Sequence, residues 1–273
     1  MKLDTLNPIG VVLTDVSLAD TTAADIGEFR RLLAEHGVIV APGQHLDDDQ
    51  FVAFLGRFGT LTFTTGETPV PGFADLNVVT NVGRTSPPKS TFHTDTSYVR
   101  VPPAYTALRA VSVPANGGET LFSNQYRALD TLPDALRRRV DGRSITHVMT
   151  GIELDPDAHP DVETSADHPI VRRHPISGRS ALFLSAVPRC QSISGLGDEE
   201  AQTIIRALFD HSTADSNVMR HSWSPGDIAM WDNACVLHCA DHSDVVGDRV
   251  MHRGMVAGNS PSTSSGTGRE SSA

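Results

Sequence analysis

Four His-x-Asp pairs occur along the 273-residue chain, and each could present two metal ligands from one extended segment. An imidazole nitrogen and a carboxylate oxygen, joined by a second histidine from elsewhere, form the set that holds non-haem Fe(II) with three open positions. Such open positions suit the activation of O₂. Only one pair is needed for such a site, so the surroundings must select among His45/Asp47, His93/Asp95, His159/Asp161 and His242/Asp244.

The surroundings favour His93 and Asp95. This pair lies among β-forming residues just before Pro102 and Pro103, which predicts a rigid strand end beside a turn. Asp47 instead stands where a helix begins, a position that Asp often caps. The pair at 159–161 lies in a polar segment rich in Asp and Pro, and the pair at 242–244 lies in a polar loop.

His238 is the best candidate for the third ligand, because it lies on a predicted core strand, 143 residues after Asp95. A lone strand histidine is more often a hydrogen-bonded core residue, so this assignment depends on further context. Cys235 and Cys239 beside it suggest zinc. The segment lacks a CxxC pair and a second cluster, and small apolar core residues are the favoured interpretation.

Helices and short strands must position these residues. Helical periodicity predicts helices over 21–36, ending at Gly37, and over 47–58. Further helices are expected over 125–129 with Ser123 as its cap, over 132–140, and over 198–211 with Asp198 as its cap.

The remaining pattern is that of a mainly β protein. Short β-rich runs between Gly and Pro breaks predict strands at 9–13, 38–40, 76–80, 105–108, 181–184, 228–231, 235–238 and 249–256. Residues 151–168 lack apolar periodicity and predict a long loop, with a lid and disorder as open alternatives. The order of elements favours a predominantly β core with helices packed outside it.

Composition narrows the class of protein. Hydrophobic residues make up 39% and charged residues 20%, as in globular proteins. A net charge of −11 argues against binding to duplex nucleic acid. We see no signal-peptide pattern and no apolar run near the roughly 18–20 residues of a membrane span. Three cysteines are too few for a disulfide framework, so we expect a reduced, cytoplasmic protein.

Spacings around the candidate ligands carry a family resemblance. Arg249 and Arg253 follow His238 by 11 and 15 residues, and Thr120 follows Asp95 by 25. These spacings resemble those of the taurine dioxygenase family of Fe(II)/2-oxoglutarate-dependent oxygenases, which includes 2,4-D and alkylsulfatase-type relatives. The resemblance covers about residues 9–258, including EHGVIVAPGQ at 35–44, RFGT at 57–60 and PGDIAMWDN at 225–233.

The resemblance implies a jelly-roll core, that is, a double-stranded β-helix of the cupin kind. It also implies that His93, Asp95 and His238 bind Fe(II), with 2-oxoglutarate and O₂ as co-substrates. Arg249 would bind the distal carboxylate of 2-oxoglutarate, with the Thr120 hydroxyl as a second contact. A guanidinium suits this role because its planar fork can hold a carboxylate through two hydrogen bonds.

The resemblance is weaker at the substrate. Arg253 matches the residue that holds the anionic group of the substrate in the taurine enzyme, which predicts a small, anionic substrate. That enzyme also places a histidine shortly after its Phe-Gly turn, whereas residues 60–67 here contain none, which argues against taurine itself as the substrate. Thr64 or Thr65 could contact an anion, Glu67 could meet a substrate amine, and Tyr98 could line the pocket.

The expected reaction is hydroxylation of an unactivated C–H bond, with release of succinate and CO₂. Desaturation, cyclisation or cleavage of a carbon–heteroatom bond use the same cofactors and stay open. Asp95 is retained, which disfavours halogenation. A non-catalytic β-barrel binding module and a zinc hydrolase are remoter alternatives.

Ligands at positions 93, 95 and 238 must meet in one core, so we expect one catalytic domain over residues 1–258. Residues 259–273 contain six Ser, two Thr and two Gly, which predicts a disordered tail. Relatives in the family often form dimers or tetramers, and a homo-oligomer is expected.

Overall fold

The described part of the chain folds into four β-sheets with helices packed around them. The computed structural model describes residues 1–84, 90–155 and 157–258, and the predicted tail lies outside these ranges. The strands, numbered in chain order, are β1 (Lys2–Thr5), β2 (Val11–Thr14), β3 (Val38–Ala41), β4 (Leu61–Thr62), β5 (Pro69–Val70), β6 (Phe73–Thr80), β7 (Tyr105–Ser112), β8 (Thr120–Asn124), β9 (Ser144–Val148), β10 (Ser165–Pro169), β11 (Val171–Arg173), β12 (Ser180–Leu182), β13 (Cys190–Ile193), β14 (Val218–His221), β15 (Ile228–Asp232), β16 (Val236–Ala240) and β17 (Val250–Val256).

The helices lie between these strands in the chain. They are α1 (Ala23–His36), α2 (Asp48–Gly56), α3 (Gln125–Asp130), α4 (Asp134–Val140) and α5 (Asp198–Ser212), with short 3₁₀ helices at Val187–Arg189 and Asp215–Asn217. Among the described residues, none of the helices combines the length and apolar character needed to cross a bilayer.

A large sheet and a small sheet form the core. The large sheet has the order β1-β2-β3-β15-β7-β17-β6-β5, with β4 paired to β17, and the small sheet has the order β14-β8-β16. Phe122 of the small sheet and Trp231 of the large sheet are both fully buried, with ring centroids 5.4 Å apart. This arrangement, with helices outside, confirms the predicted mainly β, jelly-roll class.

Helices α1 and α2 cover the outer face of the large sheet, because their apolar stripes pack against it. Phe29, Phe51 and Phe54 are buried in the same cluster as Met230 of β15. Each helix begins with a capping box, in which Thr22 or Asp47 accepts the backbone N–H three residues later. The prediction that Asp47 caps a helix is therefore confirmed.

Three local predictions were wrong. Asn124, rather than Ser123, caps α3, because the Ser123 hydroxyl instead donates to the buried Ser212 carbonyl, 2.6 Å away. Gly197 stands at the cap of α5, and Asp198 is its first helical residue, without a side-chain capping bond. The predicted loop over 151–168 ends earlier, because residues from Ser165 onward pair with β9.

A pair of Gly→Ala substitutions tests the packing of α2 on β17. A Cβ on Gly254 would lie 2.3 Å from Leu55 Cδ1 and 3.0 Å from Leu76 Cδ2, so G254A should destabilise the fold by about 1–3 kcal/mol. Gly27 in α1 has open space around it, so G27A should stabilise by about 0.5–1 kcal/mol. Chemical denaturation measures both, and equal effects of the two substitutions would contradict this packing.

Candidate active site

His93, Asp95 and His238 converge at one point between the two core sheets. Their ligand atoms all lie within 4.8 Å of one another. The Asp95 carboxylate lies between the rings, with Oδ1 3.6 Å from His93 Nε2 and Oδ2 3.7 Å from His238 Nε2. Donors on one octahedral ion with bonds of about 2.1 Å lie about 3 Å apart, so small side-chain shifts bring this set onto a single metal ion.

A backbone contact sets the positions of the two histidines. His93 and His238 exchange both N–H···O bonds, each 3.0 Å long, in an isolated antiparallel bridge. Residues paired in this way project their side chains to the same face, and the two imidazole centroids are 4.3 Å apart. Strand β16 therefore holds His238 in register with β8 on one side and with the His93 segment on the other.

The ring nitrogens are arranged for ligation. His93 Nδ1 lies 2.8 Å from the Thr91 carbonyl, which can only accept, so Nδ1 carries the proton and Nε2 keeps its lone pair toward Asp95. His238 packs on Trp231 with centroids 4.4 Å apart, and burial lowers the pKa of His238 to about 3. Both rings can therefore offer a neutral nitrogen to a metal.

Asp95 is ionised and anchored to the large sheet. Burial alone would raise the pKa of its carboxyl, but the Arg253 guanidinium, which donates to Oδ1 at 3.1 Å, holds that pKa well below its usual range. Thr106 of β7 donates its hydroxyl to Asp95 Oδ2 at 2.8 Å, and Asn233 donates to that hydroxyl oxygen at 2.9 Å. These bonds leave the carboxylate little freedom to rotate.

Arg249 is a buried charge without a counterion among the described residues. Its side chain is fully buried, Nε donates to the Gly118 carbonyl at 2.8 Å and Nη2 donates to Thr120 Oγ1 at 3.2 Å. Nη1 is buried and has no hydrogen-bond partner. Burial lowers the pKa of this guanidinium to about 10. Such a group calls for an anionic ligand, since an unpaired buried charge is strongly unfavourable.

The Thr120 hydroxyl is oriented toward the same ligand space. Its oxygen accepts the indole N–H of Trp223 at 3.0 Å as well as the Arg249 Nη2–H. Both lone pairs are then engaged, so the hydroxyl proton is free to donate to a further acceptor. A Cβ on Gly118 would lie 3.0 Å from Arg249 Cδ, so glycine at this position leaves room for the guanidinium.

Arg253 contrasts with Arg249, because its guanidinium is already surrounded by acceptors. Nε donates to Asn77 Oδ1 at 2.9 Å, Nη1 donates to Asp95 Oδ1 at 3.1 Å, and Nη2 donates to Glu67 Oε2. Burial would lower the pKa of Arg253, but the charges of Asp95 and Glu67 raise it.

Thr64 and Tyr98 line a cavity of about 120 Å³. The Thr64 hydroxyl is 3.0 Å from that of Thr96, and the buried Tyr98 ring lies 5.4 Å from the guanidinium carbon of Arg189. Thr65 also lines the cavity. The seven other predicted site residues lie outside the lining of this cavity: His93, Asp95, His238, Thr120, Arg249, Arg253 and Glu67. Glu67 follows two residues after Thr65 in the chain.

Part of the predicted 151–168 loop covers this region. Val162 and Glu163 line the same cavity, and Glu163 accepts the Arg100 backbone N–H at 2.7 Å. A Cβ on Gly66 would lie 2.6 Å from Ile152 Cγ2, so the segment packs directly on the loop that carries Glu67.

Among the residues that the structure describes, the other His-x-Asp pairs do not form comparable groups. A second His/Asp/Cys group does occur, at His174, Asp232 and Cys235. His174 Nε2 donates to Asp232 at 2.9 Å, and its Nδ1 accepts two backbone N–H groups at 3.1 Å. Both ring nitrogens are engaged, so this is a hydrogen-bonded core cluster, and Cys239 is likewise a buried free thiol.

Several residues at the site carry no sequence signal. Thr106, Trp223 and Asn77 contact site residues from distant elements, and no motif or spacing marks them. Asn233, which donates to Thr106, is the last residue of the PGDIAMWDN motif. Arg189 donates to the Thr94 carbonyl at 3.2 Å and forms no ion pair with a carboxylate in the part of the chain that the structure describes. Gly118 had a signal, since it lies two residues before Thr120 in a Gly-Gly pair.

Known proteins share this fold and length. The family model described as "Taurine catabolism dioxygenase TauD, TfdA family" matches residues 3–255. The chain is 30% identical over 263 residues to the alpha-ketoglutarate-dependent 2,4-dichlorophenoxyacetate dioxygenase of Cupriavidus pinatubonensis, covering 88% of this chain and 91% of that protein. It is 31% identical over 268 residues to the alpha-ketoglutarate-dependent sulfate ester dioxygenase of Pseudomonas putida, covering 93% and 88%.

A solved structure gives the same result. The crystal structure of a taurine dioxygenase from Burkholderia xenovorans matches with a TM-score of 0.82 and 28% identity, covering 95% of this chain and 92% of that chain. The family model matches nearly the whole described chain, and these relatives agree with it. The chain therefore belongs to the TauD/TfdA family of dioxygenases, enzymes that use Fe(II), 2-oxoglutarate and O₂.

Proposed function

We propose that His93, Asp95 and His238 hold the Fe(II) of this dioxygenase, and that the enzyme hydroxylates a C–H bond of a small anionic molecule. The observation that carries the proposal is the convergence of the three ligand atoms within 4.8 Å, with the lone pair of His93 Nε2 kept free. When bound, the iron and 2-oxoglutarate supply the activation of O₂.

Arg249 and Thr120 are the residues for the distal carboxylate of 2-oxoglutarate. A carboxylate here gives the buried guanidinium its missing counterion, and Nη1 its missing acceptor. The Thr120 proton, free because Trp223 and Arg249 donate to its oxygen, completes the set. The group fits the residues present, because their unmet hydrogen bonds match what a carboxylate provides.

The substrate is assigned to the neighbourhood of Arg253, Thr64, Glu67 and Tyr98. Relatives named for a phenoxyacetate and for a sulfate ester support a small molecule with an acid group. Desaturation, cyclisation and bond cleavage remain alternative outcomes, and the relative named pentalenolactone F synthase is a biosynthetic case. The segment around Val162 covers the cavity and would keep water from it.

Two expectations about the setting of the enzyme stay predictions. Its three cysteines are buried and free, which supports a reducing compartment such as the cytoplasm. A homo-oligomer is expected from the family.

Loss of one ligand tests the metal site. D95A should abolish Fe(II)-dependent conversion of 2-oxoglutarate to succinate and weaken Fe(II) binding at least about tenfold, because the carboxylate is the one charged ligand. Equilibrium metal titration and succinate assay measure the two effects. The matched control is D161A, in an exposed His-x-Asp pair, which should leave both unchanged. Full activity of D95A would contradict the assignment.

Removing the buried guanidinium tests the co-substrate site. R249Q should weaken 2-oxoglutarate binding at least about 30-fold, since a buried charge pair contributes about 2 kcal/mol or more. T120V, which removes one hydroxyl donor to a carboxylate, should weaken it about tenfold. Calorimetric titration measures both against R31Q, an exposed control on α1.

Stability separates this role from a structural one. Without 2-oxoglutarate, R249Q should unfold at a temperature no lower than the wild type, because it removes a buried charge that has no described counterion. The rise in unfolding temperature on adding 2-oxoglutarate should disappear. An unchanged 2-oxoglutarate affinity in R249Q would remove Arg249 from this role.

A further inference from the structure

Glu67 binds the guanidinium of Arg253, the group at which the substrate's acid group is expected to bind. Arg253 donates to Asn77, Asp95 and Glu67 through three different nitrogens. Arg249, four residues earlier, faces no described carboxylate and keeps a buried nitrogen without a partner. The two arginines are therefore in opposite states: Arg249 lacks a counterion, and Arg253 has two.

The charge near Arg253 is not that of a simple anion site. Two carboxylates contact one guanidinium, and the side chains of Arg253 and Asp95 are only 10% and 4% exposed. Glu67 is 27% exposed on its side chain. Asp95 would also face the Fe(II) proposed above, so Glu67 is the carboxylate that the metal does not compensate. An incoming anion meets Glu67 within hydrogen-bonding distance of the same guanidinium, which is repulsive at low solvent exposure.

Glu67 also has an acceptor to offer. Oε2 accepts from Arg253, whereas no described residue hydrogen bonds to Oε1. The side chain is partly exposed, so a ligand can reach this oxygen. A carboxylate oxygen that is held in place and accessible suits an N–H donor, above all a charged one.

The loop around Glu67 resists its displacement. The Glu67 backbone N–H donates to the Thr64 carbonyl at 3.2 Å, and Gly66 has a φ of +91°. Gly66 packs so closely on Ile152 that a Cβ would lie 2.6 Å from Cγ2. These contacts fix the backbone that carries Glu67, and turning its side chain away would separate the carboxylate from its Arg253 counterion.

We propose that the substrate is zwitterionic: it carries a protonated amine that binds Glu67, beside an acid group that shares Arg253. This rests on the proposed function, because it places the substrate at Arg253. A simple anion can bind the Arg253 guanidinium only by weakening the ion pair between Arg253 and Glu67. An ammonium group on the same molecule gives Glu67 a second partner, so that Arg253 and the ammonium balance Glu67 and the acid group, while Asp95 is left to the metal ion.

Matched pairs of probes test the proposal. 3-Aminopropane-1-sulfonate and butane-1-sulfonate differ by an ammonium in place of a methyl group, as do 4-aminobutanoate and pentanoate. Calorimetric titration into the Fe(II)- and 2-oxoglutarate-loaded enzyme without O₂ should show the amino member binding at least about tenfold tighter. E67Q should reduce this preference to about onefold, because the amide cannot compensate an ammonium charge and frees Arg253 for either acid group.

A control and the opposing outcomes make the test decisive. E153Q, the same charge change on an exposed residue of the covering segment, should keep the wild-type preference. Equal binding within each pair by the wild type, or the same ratio in E67Q, overturns the proposal. If neither member binds the wild type, a gain of butane-1-sulfonate binding by E67Q supports the premise that Glu67 shields Arg253 from a simple anion. The absence of such a gain overturns the proposal.

The failure of the proposed function looks different. Titration of 2-oxoglutarate into E67Q should match the wild type, because Glu67 contacts neither Arg249 nor Thr120 in the structure. A wild-type enzyme that binds no 2-oxoglutarate would refute the proposed function, whatever the amine preference.

Discussion

The paired backbone hydrogen bonds between His93 and His238 are the constraint on which the site depends. They join a segment outside the regular strands to β16, and they direct two imidazoles to the same face. Asp95 follows two residues later and is tied across to the large sheet through Thr106 and Arg253. The metal-ligating set therefore bridges the two sheets, and its geometry is as rigid as their packing.

Strand β17 places the cationic groups by its alternation. Arg249, Met251 and Arg253 are buried, while His252 between them points the other way and pairs with Asp48 of α2 at 2.7 Å. Arg249 lies one residue before β17 begins and continues the same alternation, so the two arginines lie on one side of the strand but differ in their neighbours. One faces a glycine turn and a hydroxyl, and the other faces two carboxylates, so one is left for a ligand anion and the other is largely neutralised.

Helix periodicity and capping rules predicted the helices well where the stabilising contacts lie close together in the chain. Apolar periodicity located α1, α2 and α5, and Asp47 caps α2 because a capping bond spans only three residues. The Ser123 cap was wrong because its hydroxyl found a partner 89 residues away, on α5. The loop end at Ser165 was missed because pairing with β9 depends on a strand elsewhere in the chain.

The sequence by itself determined the ligand types, the spacings of the arginines behind His238 and, through them, the family. It could not choose among four His-x-Asp pairs without context, and it carried no sign of Trp223, Thr106 or Asn77. Only the tertiary structure decided which arginine is free and which is paired, because the charge that a buried guanidinium presents depends on the acceptors within a few ångströms. Those acceptors come from residues far away in the chain, such as Glu67, 186 positions before Arg253.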